Sequence, residues 1–127
     1  MRILHGLIAA VLLFAAPAFA EPTTQVSTAF AQFEPLRVAV NGKVATVVMS
    51  QQRVTDTLYQ NVITNGGCLR QIIDPDVLEG IEEIAVLNRH AAQGYIFEGG
   101  RERCAELNAM PLGKGKTILL MGYTRAH

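Results

Sequence analysis

The chain has 127 residues, with eleven Lys plus Arg against eleven Asp plus Glu, a formal net charge of zero and 50% hydrophobic residues. That length suits one domain. The balanced charge excludes the basic stripe of a nucleic-acid surface and the polybasic patch of a membrane-surface protein.

Residues 1–20 have the layout of an export signal. Met1 and Arg2 give a positive start, an apolar stretch follows to Ala16, and Pro17 breaks any helix. Ala18, Phe19 and Ala20 then fit a small-x-small cleavage site. About 14 apolar residues are too few for a hydrocarbon core that needs about 20, and no cysteine stands directly after Ala20 to carry a lipid. Cleavage is expected after Ala20, giving a periplasmic or secreted protein with no stable membrane anchor. Residues 21–34, rich in Pro, Thr, Gln and Ser, read as a flexible leader with Phe30 and Phe33 tucked onto the core. Residues 35–127 are expected to form a single domain.

Residues 36–49 carry the clearest hairpin pattern. Leu36, Val38 and Val40 alternate, Asn41-Gly42 is a strong turn signal, and an apolar run follows to Met49. Ser50 is placed to cap a helix. Val54, Leu58 and Val62 then recur on one helical face, with Tyr59 and Ile63 beside them. Asn65-Gly66-Gly67 is expected to end that helix, since a glycine can take the left-handed conformation. Residues 69–73 read as a short strand. Pro75 suits a first helical position, and Asp76 with Glu79 has capping-box spacing, so a single helical turn is expected before Gly80.

Residues 84–87 and 95–97 are apolar runs joined by a seven-residue polar loop, a second hairpin. Gly99-Gly100 interrupts the chain, residues 101–110 have helical character, and Pro111 stops them. Ile118, Leu119, Leu120 and Met121 read as a last strand. The two halves thus share an order of strand, turn, strand, helix. The fold class is α+β: a two-layer sandwich with a mostly antiparallel sheet of about five strands and two helices on one face, in the order β-β-α-(β)-β-β-α-β.

Two cysteines, Cys68 and Cys104, follow the signal. In an exported chain an even count reads as one disulfide. The bridge would close a loop of about 37 residues, contributing roughly 3–4 kcal/mol. Cys104 near a helix start with His90 as a base is a weaker reading than the bridge. Gly99, Gly100 and Arg101 place backbone N–H groups and a cation at a helix start, a candidate anion or ligand turn, although a tight connection needing small residues explains them as well. Gly113-Lys114-Gly115-Lys116-Thr117 ends like a phosphate-binding loop, but Met110 stands where that motif needs a glycine. The acidic run Asp74, Asp76, Glu79, Glu82 and Glu83 has no calcium-loop spacing. His90 and His127 lack partners at zinc spacing. No catalytic motif, cofactor or metal site is assigned.

The strands read as apolar on both faces, more than two helices can cover. The other sheet face, including Ile118 to Met121, must then be covered by residues 21–34 folding back, by a second copy or by another protein, and is read as an interaction face. The composition and motifs favour a non-enzymatic protein-binding module, an inhibitor or accessory subunit. The alternatives are a small enzyme or anion-binding domain at the Gly99-Gly100-Arg101 turn, and a structural envelope component.

Overall fold

The computed structural model describes residues 22–127; the expected export signal and its cleavage site lie outside the described residues. The elements in chain order are helix α1 (Pro22–Phe30) with a 3₁₀ turn (Ala31–Phe33), strands β1 (Arg37–Asn41) and β2 (Val44–Val48), and helix α2 (Asp56–Val62). A π-helix (Ile63–Cys68) runs on into α3 (Leu69–Ile73). Strands β3 (Glu83–Leu87) and β4 (Gly94–Phe97), helices α4 (Arg101–Asn108) and α5 (Lys114–Gly122), and strand β5 (Thr124–Ala126) complete the chain.

The five strands form one sheet in sequence order, β1-β2-β3-β4-β5. Three of the four pairings are antiparallel and β2 with β3 is parallel. A parallel pair needs a long crossover, and α2, the π-helix and α3 supply it. The α+β class and the mostly antiparallel sheet are those expected from the pattern.

Alternation sorts the strand residues between two faces. Ala45, Val47, Ile84, Val86 and Phe97 point to one face and pack with Val26, Phe30, Tyr59, Val62, Ile63, Leu107 and Leu120 from the helices in the main core. Ala85, Leu87 and Ile96 point the other way and form a small second cluster with Ala91 of the β3–β4 loop. The apolar run of β3 is thus buried on both faces, so the second sheet face, expected to be left open for a partner, is closed within the chain at Ala85, Leu87 and Ile96.

Several local expectations are corrected. The stretch 21–34 is helical from Pro22 to Phe33. It is held because Phe30 is fully buried and Phe33 packs against the core. It lies in the same layer as the other helices and not on the opposite face. Its Thr23 hydroxyl also accepts the Val40 N–H at 3.3 Å, covering part of the β1 edge. The hairpin turn is shifted by one residue. Asn41 pairs with Val44, so Gly42 and Lys43 form the loop, and Gly42 takes the positive φ of 59°. Glycine at the first central position is the type II′ arrangement.

Thr55, and not Ser50, caps α2 by accepting the Leu58 N–H at 3.2 Å. The chain stays non-helical up to that point because the Gln93 amide holds both backbone groups of Val54, at 2.8 and 2.9 Å. Gly66 and Gly67 do not end the helix; they sit inside the π-helix, and residues 69–73 continue as α3 instead of a strand. Residues 75–80 are successive turns without a helix. Residues 118–121 belong to α5, and the last strand is β5. A four-residue apolar run fits strand or helix equally. Burial here follows the helix: Leu120 is in the core, Leu119 and Met121 pack against it, and Ile118 faces solvent.

Candidate functional site

Cys68, the last residue of the π-helix, is bonded to Cys104 in the first turn of α4, with Cα atoms 4.7 Å apart. Both residues are fully buried. Side chains on either side reinforce the junction. Asn108 donates to the Cys68 carbonyl at 2.8 Å, and the buried Gln71 donates to the Arg101 carbonyl at 2.8 Å. A bonded, buried Cys104 has no free thiol to act as a nucleophile. His90 lies in the β3–β4 loop, at the other end of β4 from α4.

The Gly99-Gly100-Arg101 turn is shaped by close approach of the chain. A Cβ on Gly100 would stand 1.8 Å from the Ile81 carbonyl oxygen, and one on Gly99 would stand 2.5 Å from Arg103 Cβ. Arg101 pairs with Asp76 at 3.0 Å. The neighbouring groove, about 580 Å³, mixes Lys43, Arg101 and Arg103 with Glu82, Glu98 and Glu102. Equal numbers of opposite charges leave it no net attraction for an anion, so the packing role is the one the geometry supports.

The acidic run disperses in the same way. Asp76 meets Arg101, Glu82 meets Lys43 at 3.2 Å, and Glu83 meets Arg125 at 3.0 Å. Among the described residues, no three His, Cys, Asp or Glu side chains converge to hold a metal ion. Arg103 stacks over the Tyr123 ring at 4.2 Å and reaches Glu106 at 2.8 Å, while Tyr123 donates to Glu106 at 2.8 Å. That bond lowers the Glu106 carboxyl below its ordinary pKa and raises the Tyr123 phenol.

Tyr59 ties α2 to the C-terminal elements. Thr124 donates to the Leu120 carbonyl at 2.8 Å, which leaves its oxygen to accept the Tyr59 hydroxyl at 2.6 Å. Burial pushes the Tyr59 phenol well above its ordinary value. The ring also lies 5.1 Å from that of Tyr95, whose hydroxyl donates to Asp56.

The helical side of the molecule presents the feature that the strand reading of residues 69–73 missed. Leu69, Ile72 and Ile73 on α3 are 44%, 61% and 71% exposed. Their i, i+3, i+4 spacing is the signal of a helical stripe, here turned to solvent. Leu69 and Ile73 line a groove of about 330 Å³ between α3 and the end of α1, with Arg70 and Asn65. Asn65 also lines a second groove of about 250 Å³ that runs to Leu112, Lys116 and Thr117 at the start of α5. Leu112 is 88% exposed. Of the expected face at residues 118–121, only Ile118 is strongly exposed, and its place on a helix removes the sheet-face reasoning behind it.

No protein-family model, curated protein or solved structure matches this chain. The exposed ridge on α3 and the grooves beside it are therefore read on their geometry. Among the described residues, no helix is long and apolar enough to cross a membrane. The Cys68–Cys104 bridge is compatible with an oxidising compartment.

Proposed function

We propose that this protein is a small exported, non-enzymatic protein-binding module, an inhibitor or accessory subunit working outside the cytoplasm. The observation that carries the reading is the solvent-facing ridge of Leu69, Ile72 and Ile73. Three large aliphatic side chains at helical spacing beside a groove resemble the anchor face that docks a partner, where apolar side chains at the centre carry most of the binding energy. They sit on a short helix held from behind by the disulfide and by Gln71. A rigid support of that kind lowers the entropy lost on association. Export is supported by the composition of residues 1–20 and by the bridge.

The test is affinity capture from an extract of the compartment in which the protein accumulates, with Ile72→Asp and Ile73→Asp as controls. A specific partner retained by the parent protein and lost by both variants, with unchanged melting, supports the reading. Equal capture by parent and variants refutes the ridge as the docking surface. N-terminal sequencing of the exported protein should begin at Glu21, and a start at Met1 would refute processing.

A further inference from the structure

We infer that the partner segment is acidic: an aliphatic stretch bearing Asp or Glu that lies along α3 and crosses Asn65 to the start of α5. The inference deepens the protein-binding reading and rests on it.

The two grooves that meet at Asn65 share a charge pattern unlike that of the groove beside the Gly99-Gly100-Arg101 turn. Their linings contain two ionisable side chains, Arg70 and Lys116, and no carboxylate. In the groove beside the Gly99-Gly100-Arg101 turn, Lys43, Arg101 and Arg103 each meet an acidic side chain. Arg70 and Lys116 form no ion pair among the described residues, and Arg70 Nε is enclosed without a hydrogen-bond partner. Gln71, its neighbour in sequence, also has an unpaired atom, Oε1, although its amide nitrogen is bonded. Arg70 lines the first groove, and a guanidinium there is suited to a carboxylate. At the far end, Gly113 precedes α5 and gives it no side-chain cap, so the first N–H groups of a nine-residue helix add to the positive potential beside Lys116.

Aliphatic side chains stand beside each cation. Leu69 and Ile73 flank Arg70, and Leu112 stands near Lys116. A free inorganic anion would leave those side chains in water. A peptide segment engages both, with aliphatic side chains against the ridge and carboxylates at each end. The amides of Asn61 and Gln60 along the second groove can bond its backbone. Asn65 lies in the π-helix, is exposed, and accepts the Gln32 amide at its carbonyl at 2.6 Å.

The test is selection of a random peptide display library against the full chain in its oxidised form, followed by titration of the enriched peptides. The expected result is enrichment of Asp and Glu among aliphatic residues. Binding should be about tenfold weaker with Arg70→Glu or Lys116→Glu, and weaker at raised salt. Lys116→Glu is the safeguard against misfolding, because an acidic residue is favourable in a first helical turn. Enriched peptides that are neutral or basic, or that bind both variants as well as the parent, overturn the inference. If those peptides still lose binding with Ile72→Asp, the protein-binding reading survives alone. Failure to enrich any peptide overturns both. Vesicles of phosphatidylglycerol form the last arm. Tight vesicle binding that displaces the acidic peptides assigns the surface to anionic lipid and overturns the peptide, while their indifference supports it.

Discussion

Two glycine pairs stand close to the two half-cystines, and the fold uses them in different ways. Gly66-Gly67 precedes Cys68 and lies inside a continuous helical segment. Gly99-Gly100 precedes α4, which carries Cys104, and lies outside it. The neighbours explain the difference. A Cβ on Gly66 would meet the Phe30 and Phe33 rings at 3.0 Å, and one on Gly67 would meet Phe30 at 3.1 Å. Those are ends of side chains on α1, an element from another part of the chain. At Gly100 the obstacle is the backbone carbonyl of Ile81, at 1.8 Å. The first pair makes room for aromatic rings over a helix; in the second, Gly99 makes room for the Arg103 and Phe97 side chains and Gly100 lets two backbone segments cross. A glycine pair therefore marks close approach, and only the packing partner decides whether the helix ends there.

The backbone contact should be the less forgiving. Gly100→Ala is expected to destabilise the domain by about 4 kcal/mol, because a carbonyl in a packed segment cannot step aside as a side chain can. Chemical denaturation measures it, and a value below about 1 kcal/mol would show that residues 80–82 are free to move.

Removing the link between the two regions comes next. Cys68→Ala should lower stability by about 3 kcal/mol, the range expected when a native bridge is lost from a small domain. Unchanged melting would mean that Asn108 and Gln71 hold the junction without it.

Gly66→Ala should cost about 2 kcal/mol, since the Phe30 and Phe33 rings can shift by a few tenths of an ångström. If Gly66→Ala proves as severe as Gly100→Ala, the aromatic contact is as rigid as the backbone one and the distinction between the pairs collapses.

The smallest expected effect is at Tyr59. Tyr59→Phe removes one hydrogen bond and should cost about 1 kcal/mol. Its pH dependence is more telling. In the unfolded chain Tyr59 loses its proton near its ordinary value of 10.0, whereas burial keeps it protonated in the folded state. The unfolded state then binds fewer protons above that value, so stability falls as pH rises from 10.0 upward. Tyr59→Phe should flatten that alkaline limb, which melting against pH would record. A limb of unchanged slope would place Tyr59 in water in the native protein.

The strands with strong patterns were legible. Residues 84–87 and 94–97 pair as a hairpin because their apolar side chains have no alternative to burial. The helical face of Leu58, Tyr59, Val62 and Ile63 was legible for the same reason, although Val54, read as its first member, precedes the helix; the Cys68–Cys104 bridge was legible from the even count. Less of the candidate site was readable. Leu69, Ile72 and Ile73 carry helical spacing in plain view, but a helix ending at Gly66-Gly67 left no helix for them to extend. The run Ile118 to Met121 was too short for its period to separate helix from strand.

By itself the sequence determined which segments are apolar, with what period, and that two cysteines were there to be joined. Those properties follow from local side-chain chemistry, and they account for the α+β class and the hairpins. Tertiary structure decided where helices end, which layer the 22–33 segment joins, and which apolar stripe stays in water. Each of those depends on contacts between residues far apart in the chain: Phe30 on Gly66 and Gly67, Gln93 on Val54, Ile81 against Gly100. Such contacts override local propensity because burying a large side chain contributes about 1.5–3 kcal/mol, more than the roughly 1 kcal/mol by which a glycine disfavours a helix.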